Sequence, residues 1–210
     1  MTEQTLAERL PDAAKIGARL RAQREHVGIS LREVARRIGV SPSLVSQIER
    51  DMVNPSVSTL YALVTELGLT MSDVFVDGAR SQVHALPVDG GGLVTTPETR
   101  QVINLAAGVH WERLTTTSDR MVEFLEVVYE AGAESCPEDS LMRHGGKEYG
   151  YVISGRLGVR VGFDDFELGP GASISFDSSS PHRLYTIGNK QARAIWAVVG
   201  REGDPRTAAR

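Results

Sequence analysis

Three side chains in the C-terminal half carry donor atoms suited to a metal ion: His144, Glu148 and His182. Two imidazole nitrogens and a carboxylate oxygen form an N,N,O set, and such sets hold zinc, iron, manganese or nickel. Three protein ligands leave coordination positions open for a further molecule. The same residues serve equally well as polar wall groups that hydrogen-bond one another or an organic ligand. A second group, far upstream, has different chemistry. Ser43, Ser46, Gln47 and Arg50 stand at i, i+3, i+4 and i+7, one stripe of hydrogen-bonding side chains on a helix. Glutamine can bond adenine N6 and N7 together, and serine bonds base edges or phosphates, so the stripe suits reading of the DNA major groove. An ordinary solvated helix face has the same pattern.

The elements that must position the stripe are legible. Ser30 precedes Leu31 and is followed three residues later by Glu33, the spacing of a capping box in which each side chain satisfies a backbone N–H of the other. Leu31, Val34, Ala35 and Ile38 form the buried stripe of the helix that starts there, and Gly39 supplies a left-handed stop. Ser41-Pro42 restarts a helix after a short turn, with Leu44, Val45 and Ile48 facing inward. That is helix-turn-helix spacing. Helical spacing persists over residues 15–75, with stops at Gly28, Gly39 and Gly68. Residues 77–100 hold Asp89-Gly90-Gly91-Gly92, Pro87 and Pro97 and read as a connector, part of which is free to add an edge strand. Beyond it, short apolar runs at 109–114, 122–129, 149–153, 157–161, 173–176, 182–187 and 192–199 predict a β sandwich or barrel.

Composition narrows the function classes. The 210 residues suit one large domain or two small ones. The first 14 residues are polar and acidic, and no apolar run approaches the about 20 residues that cross a bilayer, so a soluble, cytoplasmic protein without a membrane partner is expected. A single cysteine, Cys136, can neither close an intrachain disulfide nor build a thiolate zinc site, and both a redox-sensitive and an inert thiol fit it. The net charge is −4, yet residues 15–50 hold eight Lys/Arg against three acids, leaving −9 for the remainder. A basic patch confined to one small helical unit is the footprint of phosphate contact.

The run from Ser30 to Leu60, SLREVARRIGVSPSLVSQIERDMVNPSVSTL, resembles the helix-turn-helix of the xenobiotic-response-element (phage repressor-like) regulators. The resemblance covers residues 16–76 and implies a five-helix DNA-binding domain with the helix at residues 42–50 in the major groove. It implies that Ser43, Ser46 and Gln47 approach bases while Arg32, Asn54 and Ser56 contact phosphates. Ser41 and Arg50, at the two ends of that helix, complete the expected DNA-binding set. The family often has Gln at the position of Arg32 and Gly at the position of Asp51.

His144-Gly-Gly-Lys-Glu148, Gly155, Gly169-Pro170-Gly171 and Pro181-His182 resemble the two short motifs of the cupin superfamily. The resemblance implies a small β-barrel, a jelly roll, in which His144, Glu148 and His182 converge on its interior. A histidine is usual two residues before His144; here Met142 stands there, and a thioether is a poor ligand for hard or borderline cations. At most three ligands remain. Met142, His144, Glu148, Phe176, His182 and Trp196 form the expected ligand-binding wall. Tyr149, Tyr151, Tyr185 and Trp111 either join it or fill the barrel core. Arg113 is a candidate partner for an anionic ligand, whereas strand alternation turns Arg183 away from His182. His26, His84 and His110 show no ligand spacing.

The expected molecule is therefore multi-domain α + β. It comprises a tail at 1–14, a helix-turn-helix domain at 15–76, a connector at 77–100, a cupin domain at 101–200 and a tail at 201–210. Its expected partners are double-stranded operator DNA, a small-molecule effector and a second copy in a homodimer, and its cofactor is one divalent metal or none. Two other readings compete with this regulator: a metal-dependent enzyme of oxygenase or isomerase type fused to a DNA-binding domain, and a barrel that serves only to dimerise.

Overall fold

Serine and threonine caps divide the helical part into α1 Gly17–His26, α2 Leu31–Ile38, α3 Pro42–Glu49, α4 Val57–Glu66 and α5 Met71–Val74. The structure, a computed structural model, describes residues 15–75 and 93–200. The two expected tails and residues 76–92 of the connector lie outside the described residues. Ser30, Ser41 and Ser56 each accept a hydrogen bond from the backbone N–H three residues on, each at 3.1 Å. The capping box expected at Ser30 is only half made. Glu33 turns instead to Arg36 and Arg37, at 2.7 and 2.6 Å, because these guanidiniums lie one turn along the same face. A complete capping box forms at Thr70 and Asp73. Gly39 stops α2 with φ of 75°.

Asp51 occupies the left-handed region at φ 52°. Its carboxylate accepts the Gly17 N–H at 2.8 Å and so satisfies the first turn of α1, which offsets the backbone cost. Leu20, Val34, Val45, Ile48, Leu60, Leu63, Val64 and Met71 are all at most 1% exposed. Each such side chain contributes about 1.5–3 kcal/mol by leaving water.

The second part contains β1 Gln101–Asn104, β2 Val109–Arg113, β3 Val122–Tyr129, β4 Lys147–Ser154, β5 Leu157–Val161, β6 Asp164–Leu168, β7 Ser173–Asp177, β8 His182–Thr186 and β9 Ala192–Val199. A six-stranded sheet runs in the order β1-β2-β3-β9-β4-β7, and a three-stranded sheet runs β6-β5-β8. Every pairing within them is antiparallel. Leu125, Val152, Trp196 and Val198 from the first sheet share one buried core with Leu157, Val159 and Leu184 from the second. The described end of the connector, residues 93–100, adds no edge strand, and pairing begins at Gln101.

The helical and β parts touch directly. The Pro55 carbonyl accepts from Ala106 N at 2.8 Å, and the Ser58 N–H donates to the Ser135 carbonyl at 3.4 Å. The Arg113 guanidinium lies 5.8 Å above the Phe75 ring, at the junction of the two parts, and donates to the Thr115 and Thr116 carbonyls. No helix among the described residues is long and apolar enough to cross a membrane.

Candidate metal centre and DNA-reading helix

Two loops and two strands bring the donor set together. His144 lies in the loop before β4, Glu148 is the second residue of β4, and His182 is the first of β8. The His144 N–H donates to the Ser178 carbonyl and Ser178 N–H to the Gly146 carbonyl, at 3.1 and 3.0 Å, which pins the loop of the first histidine to the turn before the second. That turn is itself set by Asp177, whose carboxylate accepts from Ser179 N at 2.8 Å. Met142 and His182 exchange backbone hydrogen bonds at 2.9 Å in each direction, so they sit directly opposite and carry their side chains on one face.

The donor atoms converge in the interior. Oε1 of Glu148 lies 3.0 Å from His144 Nε2 and 3.1 Å from His182 Nε2. The residues are 3%, 3% and 0% exposed for His144, Glu148 and His182 respectively. Nδ1 of His144 faces the Gly145 carbonyl at 3.0 Å, and Nδ1 of His182 faces the Ser180 carbonyl at 2.9 Å. A carbonyl only accepts, so each Nδ1 carries a proton, and in its neutral form each imidazole presents an Nε2 lone pair to the carboxylate. Close as they are, Glu148 Oε1 and His182 Nε2 are buried without a hydrogen-bond partner. Lone pairs facing a carboxylate oxygen repel unless a positive charge sits among them.

The electrostatics follow from this. Burial pushes the Glu148 carboxyl up, but the two imidazoles outweigh it and hold the group well below the ordinary carboxylate range. Burial pushes His182 down, and the adjacent Glu148 carboxylate, which favours the protonated imidazole, more than offsets this, so its pKa is raised.

Aromatic rings close the wall behind the donors. Trp196 on β9 donates its indole N–H to Glu148 Oε2 at 2.7 Å. Gly150, two residues beyond Glu148 and paired with Trp196, makes this possible: a Cβ there would stand 2.1 Å from the indole ring. Phe176 pairs with Glu148 across β7, and its ring lies 5.2 Å from that of His182. Tyr149 and Tyr151, at 46% and 50% exposed, lie on the opposite face of β4. Tyr185 packs under the Arg183 guanidinium at 4.8 Å, outside the barrel, and Arg183 pairs there with Glu134. Cys136 is buried, and burial pushes its thiol up, away from reactive thiolate.

The expected wall thus omits one contributor. Tyr61, from α4 of the helical part, stacks on the His144 imidazole with ring centres 4.5 Å apart and planes 5° from parallel. Its position in sequence carries no signal for this; Tyr61 reads as one more buried residue of an amphipathic helix.

The candidate DNA surface is built on α3. Ser43 and Arg50 are exposed and Ser46 and Gln47 half-buried, while Val45 and Ile48 face inward. Arg32, Ser41 and Asn54 are also exposed, and the Ser41 and Ser56 hydroxyls cap α3 and α4. Several cations of the basic patch are already paired: Arg24 with Glu49, Arg36 with Glu33, and Arg37 with Glu33 and Glu66. Among the described residues no carboxylate pairs with Arg32 or Arg50, and the Arg50 guanidinium donates to the Ser46 carbonyl at 3.1 Å. Glu49 at the end of α3 binds Arg24 through both oxygens, at 2.6 and 2.9 Å, and so clamps the helix to α1.

A helix-turn-helix family profile matches residues 20–74, and a cupin domain profile matches residues 125–198. The chain is a helix-turn-helix protein with a C-terminal cupin domain. It is similar to the HTH-type transcriptional regulator PuuR of Escherichia coli (strain K12), with 26% identity over 166 residues that cover 79% of this chain and 84% of that protein. The crystal structure of an HTH_3 family transcriptional regulator from Vibrio cholerae superposes with a TM-score of 0.61 at 21% identity, covering 89% of this chain and 96% of that one. The likeness to that structure extends the shared fold across both domains. The helix-turn-helix domain therefore contains α1 to α5 and the cupin domain contains the donor set.

Proposed function

We propose that the chain is a sequence-specific DNA-binding transcriptional regulator whose cupin domain holds a divalent metal and, through it, a small-molecule effector that modulates operator binding. We place DNA binding in residues 15–76 and sensing in residues 101–200. One observation carries the metal: two buried Nε2 lone pairs and a carboxylate oxygen meet, with both Nδ1 atoms tied to backbone carbonyls. Glu148 Oε1 lies 3.0 and 3.1 Å from the two Nε2 atoms, separations that an ion with bonds of about 2.0–2.2 Å spans. His144, Glu148 and His182 would hold it, and the ion would supply a Lewis-acid centre with positions open to an oxygen ligand. Trp196 fixes the free oxygen of Glu148, and the two carbonyls fix the imidazole tautomers.

At the other end, α3 enters the major groove with Ser43, Ser46 and Gln47 toward bases, while Arg32, Ser41, Arg50, Asn54 and Ser56 meet the backbone. Gln47→Ala should weaken binding to a duplex selected from a random library by the about 1–3 kcal/mol that one bidentate pair carries, and relax preference at one base pair. Arg32→Ala should weaken binding to all sequences alike and reduce the salt slope by about one. Titrations across a salt series distinguish the two; equal loss of preference in both variants would contradict the assignment of α3.

A homodimer would set two copies of α3 about 34 Å apart on the duplex. Phe124, Tyr149, Tyr151 and Ile153, exposed on the six-stranded sheet, support a second copy as its occupant. Sedimentation should give twice the chain mass. The two-imidazole, one-carboxylate set also suits a metal enzyme. In that reading an organic molecule taken up by the metal-loaded protein emerges altered, whereas a sensor returns it unchanged.

A further inference from the structure

We propose that Tyr61 is a working residue of the cupin site, supplied by the DNA-binding domain, and that it closes the site so that occupation is felt by α4. The inference rests on the metal reading given above.

Three contacts hold Tyr61 in the barrel mouth. Its ring stacks on His144 at 4.5 Å, meets Trp111 of β2 edge-on at 5.8 Å, and its hydroxyl donates to Glu123 at the start of β3 at 3.0 Å. His144 is one of the three donors, so a side chain of the helical domain lies one ring away from the ion. Tyr61 is 8% exposed and His144 3%, so little water reaches the stack. The ring is part of the wall that surrounds the donor set.

The helix that carries the ring cannot move alone. Leu60, Leu63 and Val64 on the same helix are at most 1% exposed and pack in the core that contains Val34 and Ala35 of α2 and Val45 and Ile48 of α3. Interiors packed at this density shift as bodies rather than deform. A displacement of Tyr61 that carries its backbone is therefore a displacement of α4 and of the α2 and α3 residues packed on it. Coordination also draws electron density from the His144 imidazole, and an electron-poor ring is attracted to the face of a phenol, so a bound ion strengthens the stack. The coupling requires no passage through the connector, because the two domains share this contact directly.

The test uses the full chain and Co2+ alone, followed by its visible absorption. Tyr61→Ala and Tyr61→Leu, the second of which keeps apolar bulk, should take up Co2+ at least tenfold faster than the parent with the same spectrum and stoichiometry. Tyr61→Phe keeps the ring and should stay within threefold of the parent rate. Amide exchange in α3 and α4 should slow on Co2+ binding in the parent and in Tyr61→Phe, and should not respond in Tyr61→Leu. Parent-like uptake and a parent-like exchange response in Tyr61→Leu would overturn the inference while leaving the metal reading intact. A parent protein that takes up no Co2+ would overturn both.

Discussion

His182→Ala is expected to abolish stoichiometric metal uptake, with affinity falling by well over a hundredfold. The change removes one of three donors, whereas loss of an outer partner alone costs about 10–100-fold in comparable sites. Trp196→Phe, which keeps an aromatic ring but loses the indole N–H bonded to Glu148 Oε2, is the matching outer-partner variant and should fall within that smaller range. Elemental mass spectrometry on protein prepared without chelator checks both. His182 is fully buried, so the fold of the variant must be verified by its circular dichroism. Equal metal content in His182→Ala and the parent would contradict the donor set.

The second large effect lies in the DNA-binding domain. Glu49→Ala should destabilise that domain by about 1–3 kcal/mol, because it strips the half-buried Arg24 guanidinium of its bidentate partner. Side-chain exposures of 11% and 5% for the pair remove most of the solvent screening that weakens surface ion pairs. Arg24 would keep only its bond to the Ile29 carbonyl at 3.1 Å and a longer contact of 3.6 Å to Glu25. Amide exchange measured separately in α3 and in β9 reads the two domains apart; loss of protection confined to the helices is expected. Glu49→Gln keeps acceptor and shape and should cost less. A Glu49→Ala protein with parental protection in α3 would show that the pair does not hold the helix.

Much of this architecture was legible because local chemistry and tertiary structure agree. The Ser41-Pro42 start of α3, the Gly39 stop and the strands at 122–129, 157–161 and 192–199 all rest on caps or periodicity, and the structure has them in place. Two strands escaped for physical reasons. Gln101–Asn104 is only four residues long, and Asp164–Leu168 is exposed along most of its length, so neither carries an apolar run. Glu33 misled because three residues compete for its carboxylate, and the two arginines prevail over the cap. The outward turn of Tyr149 and Tyr151 was available in principle: with Glu148 inward, a period of two puts both on the other face. Tyr61 and the Arg24–Glu49 clamp were not available at all. Each depends on partners far away in the chain, with 62 residues separating Tyr61 from Glu123, and no local pattern marks them.

The central claim is that occupation of the cupin site changes how the helix-turn-helix domain holds DNA. Its most direct test is the affinity of the full chain for a duplex selected from a random library, measured with and without saturating Co2+, in the parent and in His182→Ala. A coupling of about 1–3 kcal/mol, or 5–150-fold, is expected in the parent and none in the variant. A parent that binds Co2+ yet holds the duplex with the same affinity in both conditions would contradict it.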